Sequence, residues 1–470
     1  MKTRANEDGL KKVLNTGDVL VVAFGAMIGW GWVVSSGGWI QSAGTIGTMI
    51  AFLIGGIMIY FVGLVYAELT TAMPESGGAK VFSQRAFGPV GAFICTWAVI
   101  LSYIGVVCFE ACSLPTIIQY IFPNFLKGYL YTVCGFDIYL SWLMVAIFFS
   151  MLITWINIKG VKAAAVLQKI LTITIAGVGI ILIVMSALKG DPSNLYGQMF
   201  VGRNMKSVIG SIMSIAMVAP FFLFGFDVIP QAAEEINVPL KKLGKLLVFS
   251  IALAVAFYGL VVLAVGYAMN TFEVADSVAR SGLVTADAMK KIFNSEVMAK
   301  VLILGGMCGI VTSWNSFMLG GSRALMAMAD SCMIPYVFSK THPKYKTPHL
   351  SLMLIGALSI ISVFFGREML IWISNSASFA CCLTYFIVSM AFVKLRKTEP
   401  NLKRPYKVKN YKFIGFMAIS MSGIMCVMYL FPGTGCTLSN QEFAIAGGWT
   451  LLGAIFAMVC KRRYKDRFGK

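Results

Sequence analysis

The sequence predicts an all-α polytopic membrane protein with twelve transmembrane helices. Three observations carry that expectation. Of the 470 residues, 58% are hydrophobic and only 13% are charged, about half the charged share of a soluble domain. The mean hydropathy is +0.80. Long apolar runs recur from Val19 to Cys460, without the polar linkers that would divide a soluble chain of this length into domains. Too few ions remain to cover a water-facing surface, so a lipid bilayer is the expected surrounding. Disorder, a disulfide scaffold and nucleic-acid binding are excluded as overall classes, and no nucleic-acid partner is expected.

A membrane-crossing helix needs about 20 apolar residues. Runs of that kind lie at 16–44, 46–72, 89–122, 138–158, 164–188, 207–233, 244–269, 297–330, 349–366, 368–393, 412–432 and 442–460. The third and eighth are long enough to tilt or to project from the bilayer. The polar segment 1–15 reads as a cytosolic tail rather than a cleavable signal, because no small-residue cleavage site follows it. Residues 16–188 and 207–393 then form two five-helix repeats. A basic cytosolic loop follows at 394–411, two further helices at 412–460 and a cytosolic tail at 461–470. The longest outside loop, 270–296, mixes both charge signs and is expected to be partly helical.

The net charge of +19 is explained by where the charges fall. Basic residues gather at the ends of apolar runs, where they set orientation. With the N-terminus in the cytosol, thirty of the 39 lysines and arginines lie on the cytosolic side and nine on the other. That asymmetry supports an even number of spans, with both termini cytosolic in a multi-pass protein of the cytoplasmic membrane. The eleven cysteines form no CxxC pair, and several lie inside apolar runs as small apolar side chains. The two histidines, His342 and His349, share one basic loop without a carboxylate or thiol cluster, so no metal site is expected.

Two spans carry mid-membrane interruptions. The first contains Gly25-Ala-Met-Ile-Gly-Trp-Gly-Trp32, and the sixth contains Pro220-Phe-Phe-Leu-Phe-Gly-Phe-Asp227. A broken helix frees backbone N–H and C=O groups, which hydrocarbon cannot satisfy, so a break is expected only around a protein cavity. Paired breaks in corresponding helices of two repeats mark a transporter site. Glycines such as Gly55, Gly56, Gly177 and Gly179 need no more than close helix packing.

Tyr66-Ala-Glu-Leu-Thr-Thr-Ala-Met-Pro-Glu-Ser-Gly-Gly78 resembles the end of helix two in the amino acid–polyamine–organocation superfamily. Phe224-Gly-Phe-Asp-Val-Ile-Pro-Gln-Ala-Ala-Glu-Glu-Ile-Asn-Val-Pro239 resembles its helix six. Arg323 with Asp330 and Pro335, Asn157-Ile-Lys-Gly160 and Arg404-Pro-Tyr406 are similar to further family positions. The resemblance implies an amino acid permease with a leucine-transporter-like 5+5 inverted repeat, broken helices one and six, alternating access, and a central site between helices one, three, six and eight. It assigns Ile28, Gly29, Trp30 and Gly31, together with Phe221, Phe224, Gly225 and Phe226, to substrate binding. Amides of the helix-one loop would receive a substrate carboxylate, and carbonyls around Phe221 to Phe224 an amino group. Two departures stand out. Trp30 replaces a small residue between the glycines, and Ile175 falls about where many sodium-independent members carry a lysine.

Carboxylates inside the spans are few, and ionisable groups at this depth are functional candidates. Glu68 suits an ion pair in a gate. Glu110 is a candidate for carrying a coupled proton or packs against a polar neighbour, and Asp227 stabilises the amides freed by the helix-six break, attracts a cationic substrate or carries a proton. Thr312 and Ser313 offer adjacent hydroxyls to Na⁺, or bond to their own helix. Glu234, Glu235 and the lysines of 241–245 suit a latch at the cytosolic exit. No HExxH or Walker A motif occurs, so no catalytic residue and no cofactor beyond Na⁺ or H⁺ is expected. The function so implied is secondary transport of an amino acid or related small amine, coupled to Na⁺ or H⁺. An exchanger or a polyamine permease is the alternative. Tags on both termini should be reachable only from the cytosol, and a cysteine introduced within 270–296 should label from outside. Labelling of either terminus from outside would rule the twelve-span arrangement out.

Overall fold

The computed structural model describes residues 10–122, 124–280, 282–434 and 437–469. Residues 1–9 of the N-terminal tail and Lys470 lie outside the described residues. The chain begins with α1 (Thr16–Met27), α2 (Gly31–Val34), α3 (Ser36–Ala43), α4 (Thr45–Ala72) and α5 (Ala79–Ile121). After a hairpin come α6 (Leu140–Lys159), α7 (Val161–Lys189), α8 (Met205–Leu223), α9 (Val228–Gln231) and α10 (Leu240–Ala268). The remainder is α11 (Thr271–Arg280), α12 (Val284–Phe293), α13 (Glu296–Asp330), α14 (His349–Ser362), α15 (Gly366–Thr398), α16 (Tyr411–Leu430) and α17 (Asn440–Tyr464).

Eleven helical segments among the described residues have the length and apolarity to cross a membrane. The ninth expected span, 349–366, is shorter: α14 has 14 residues and runs into a 3₁₀ turn at Val363–Phe365. The loop at 270–296 contains α11 and α12, as its mixed charge suggested. The third span begins early, because a helical stretch from Ala79 leads into it through a kink at Gly88 (φ 74°).

The all-α expectation needs one correction. Strands β1 (Tyr129–Val133) and β2 (Phe136–Tyr139) pair antiparallel between α5 and α6. The cause is local. Cys134 and Gly135 both have positive φ (49° and 79°), the geometry that joins hairpin strands in two residues, and the flanking aromatic and β-branched residues favour strands.

The core forms where α5 packs on α13 and α15, and where α4 packs on α8 and α10. Helix α17 is peripheral. It is held to α5 partly by Trp97 and Trp449, whose rings stack at 4.5 Å and whose indole N–H groups each donate to the other residue's carbonyl, at 2.8 and 2.9 Å.

Residues far apart in sequence are tied together at one end of the bundle. Glu68 of α4 accepts from Arg396 at 2.6 Å and from the Val408 amide at 2.7 Å, and Arg404 Nε lies 3.0 Å from its other oxygen. Glu235 and Arg323 form a second ion pair at 2.9 Å, with almost no solvent contact. The backbone carbonyl of Glu235 accepts the amides of Val13 and Leu14, and Leu14 bridges to Ile236. Ser76 and Gly77 donate to Glu234 and Gln231. The expected latch between Glu235 and the lysines of 241–245 is therefore replaced by Arg323. A guanidinium presents a fixed fork to a carboxylate, which suits a dry pair better than a strongly hydrated ammonium.

Removing one member of a dry ion pair leaves an uncompensated charge, at a cost of about 3–5 kcal/mol. Glu235→Gln should therefore lower the melting temperature of the purified protein sharply. The double change Glu235→Leu with Arg323→Met should recover most of that loss. Equal melting of parent and single variant would show that water reaches the pair.

Candidate functional site

Helix α1 stops at Met27 and helical structure resumes only at Gly31. Helix α8 stops at Leu223, and the backbone stays irregular through Asp227 before α9. Gly225 takes φ +131°, and a side chain there would also strike Ala26 in the last turn of α1, just before the facing break. The two interruptions thus touch, and a glycine at this position lets them do so. Tyr258 donates to the freed Met27 carbonyl at 3.1 Å. The amides of Gly29 and Trp30 have no hydrogen-bond partner among the described residues.

A cavity of about 270 Å³ opens between these breaks. Gly29, Trp30, Gly31, Phe221 and Phe224 line it, together with Glu110 and Ser313. Ile28, Gly225, Phe226, Asp227 and Thr312 are not on its wall. Ile28 is fully buried. Phe226 packs between Tyr66 and Tyr385. Asp227 accepts from Tyr103 at 2.5 Å, from Tyr385 at 3.1 Å and from the Gly225 amide at 3.1 Å. Its oxygens are thus engaged in holding the helix-six break. The Thr312 hydroxyl donates to the Gly309 carbonyl at 2.9 Å, within its own helix.

Glu110 and Ser313 are brought together. The Ser313 hydroxyl donates to Glu110 Oε1, and also lies 3.2 Å from the Ile310 carbonyl. A side-chain carbon added at Gly29 would meet both Glu110 Oε1 and Ser313 Oγ at 3.4 Å. Trp30 contributes to the cavity wall and also packs against α13, since a carbon added at Gly306 would strike its ring at 2.3 Å. Ile175 fills the space beside Gly309, which in turn touches the Gly29 backbone. The expected absence of a lysine there is thus matched by an apolar side chain against the same break.

Sequence reasoning missed several wall residues. Phe109, Phe222, Tyr258 and Phe317 line the cavity, as do Ser374 and Asn375 of α15. The aromatic residues stand in apolar runs already rich in aromatics and carry no distinguishing signal. Asn375 is a polar amide within a span, which marks it as a candidate, and it donates to Glu442 at 2.6 Å.

A profile described as amino acid permease matches residues 14–456. The chain belongs to the amino acid permease family. It is 25% identical to the branched-chain amino acid permease BcaP of Bacillus subtilis, over 98% of this chain and 95% of that one. It is 25% identical to the serine/threonine exchanger SteT of the same organism, over 92% of this chain and 94% of that one. The methylthioribose transporter of B. subtilis is 23% identical, over 99% and 96%. Membership places the chain among multi-pass membrane permeases. The differing names of these relatives leave its substrate to be argued from the cavity.

A carbon added at Gly31 would lie 2.4 Å from the Phe222 ring, inside the range that demands a shift. Gly31→Val should therefore push Phe222 into the cavity and abolish ligand binding while expression persists. Trp30→Ser should enlarge the cavity and extend the range of accepted ligands toward larger ones. Both changes are read by binding assays on purified protein. An unchanged ligand range in Trp30→Ser would show that the indole serves packing alone.

Proposed function

We propose that this chain is a secondary active transporter of the cytoplasmic membrane, moving an amino acid or related small amine by alternating access. The observation that carries the reading is the cavity where the two helix breaks meet, in a chain matched along almost its whole length to amino acid permeases. The proposed plan is twelve spans in a leucine-transporter-like 5+5 repeat, 16–188 and 207–393, followed by two further helices. Both termini then face the cytosol. On that orientation the ion pairs of Glu68 and Glu235 close the cytosolic end, and the cavity belongs to an outward-facing state. Gly29, Trp30, Gly31, Phe221 and Phe224 bind substrate in this reading. Ile28, Gly225 and Phe226 shape the breaks.

Two coupling ions compete. Sodium would need the hydroxyls of Thr312 and Ser313, but one is bonded to its own helical turn and the other to Glu110. Asp227 already accepts three hydrogen bonds away from the cavity. Glu110, on the cavity wall, is the better placed proton carrier. These contacts favour H⁺ over Na⁺, with exchange as the second reading.

Reconstituted protein should accumulate its substrate at least about tenfold when a proton gradient of one or the other sense is imposed; a tenfold ratio requires about 1.4 kcal/mol. A sodium gradient alone should give equilibration only. Accumulation driven by sodium alone would transfer the coupling role to Thr312 and Ser313. Uptake that depends only on substrate inside the vesicle would establish exchange.

A further inference from the structure

A second and larger cavity, of about 470 Å³, lies apart from the helix breaks, between α5, α15 and α17. Its α17 wall includes Ala446, Trp449, Thr450, Ala454, Ala457 and Lys461. These recur at three- and four-residue spacing, on one face of the helix. Val90 and Ile94 of the α5 wall are 67% and 49% exposed, so the groove opens sideways, where a multi-pass membrane protein meets lipid. Alanines give the groove its depth, and the reciprocal hydrogen bonds of Trp97 and Trp449 set how closely α17 approaches α5. A side-chain carbon at Gly453 would lie 2.4 Å from Trp97 Nε1, so a glycine is what allows that approach. An apolar groove of this size forfeits dispersion contacts unless hydrocarbon fills it.

Length and charge narrow the occupant. From Ala446 to Lys461 the helix rises about 22 Å, at 1.5 Å per residue. One leaflet with its headgroups is about 20–22 Å thick. A neighbouring helix ~10 Å across, laid along that length, would need several times the volume of the groove. The apolar wall ends at Lys461, and the run Lys461-Arg-Arg-Tyr-Lys-Asp-Arg467 carries five cations and one acid. None of the five is ion-paired among the described residues. The run is also anchored at its far end. Phe468 lines the same cavity, the Gly469 amide donates to the Ser331 carbonyl at 2.7 Å, and the Gln84 side chain donates to the Gly469 carbonyl at 2.6 Å. An apolar slot one leaflet long, with anchored and unpaired cations at its interfacial end, is complementary to a lipid with a negatively charged head.

We infer that the groove between α5, α15 and α17 binds an anionic phospholipid, with an acyl chain along α17 and the phosphate at Lys461.

The test is native mass spectrometry of the purified full-length protein, titrated with phosphatidylglycerol or with phosphatidylcholine carrying the same acyl chains. One phosphatidylglycerol should bind at least about tenfold more tightly than phosphatidylcholine, as expected where two or more cations face the headgroup. Lys461→Gln should weaken phosphatidylglycerol about fivefold, the share of one cation at an anionic surface. Lys412→Gln, in the first turn of α16 and off the groove wall, should change nothing. Ala454→Phe should exclude both lipids by filling the slot. If that variant does not fold, the comparison of the two lysine variants decides the matter. Equal loss in Lys461→Gln and Lys412→Gln would overturn the inference in favour of diffuse attraction to the basic end. Equal affinity for the two lipids would overturn it in favour of a slot that ignores the headgroup. Dimers that persist without bound lipid and dissociate in Ala454→Phe would assign the groove to a second copy of the chain instead.

Discussion

Hydrocarbon offers no hydrogen bonds, and the structure depends on how that constraint is met at two points. A helix that stops at mid-span exposes amides and carbonyls that cost several kcal/mol each if left in lipid. Here the breaks at Ile28–Trp30 and Phe224–Asp227 face each other, Tyr258 supplies one donor and Asp227 one acceptor set. The cavity is the residue of that arrangement: the amides of Gly29 and Trp30 remain for a ligand or water to satisfy. Trp39, Phe52, Phe222 and Tyr258 pack ring against ring beside the site.

Charge is distributed by the same rule. Glu68 and Glu235 are buried, and each has an arginine from a distant part of the chain. Asp227 is buried against two tyrosines and an amide. Glu110 differs, with one oxygen bonded and one unmatched. Buried acids with complete partners hold a conformation, whereas Glu110 has one oxygen that no such role engages. That contrast separates the structural carboxylates from the one on the cavity wall more sharply than depth in the membrane does.

Much of the helical organisation was legible in the sequence, because apolar run length responds directly to the bilayer. The breaks were legible too, since glycines beside aromatics at mid-span have no good helical explanation. The hairpin at 129–139 was not, because a few residues with a tight turn leave no periodic trace within a longer loop. The resemblance was also informative away from the cavity, at the end where the sequence suggested gate and latch ion pairs. The stretch 66–78 and most of 224–239, with Arg323 and Arg404, meet in the ion-paired end, and only Phe224 of them reaches the cavity wall. The wall itself depends on which face each aromatic presents, and a run of apolar residues does not encode that face. Asp227 shows the limit most clearly: its position beside a break left holding the freed amides, attracting a cation and carrying a proton all open, and only its three donors in the structure favour the first.

The pairing of Glu68 with Arg396 spans 328 residues. At a synthesis rate of about 5–20 residues per second, Glu68 waits on the order of tens of seconds for its partner. Through that interval a carboxylate later enclosed by protein must stay in the aqueous boundary of the bilayer. The end of the nascent α4 therefore reaches its final depth late, after α15 has emerged. Closure of the ion-paired end is in this sense a late step of biosynthesis, with only α16 and α17 still to follow, and a chain released before the 394–411 loop would carry Glu68 without its arginines.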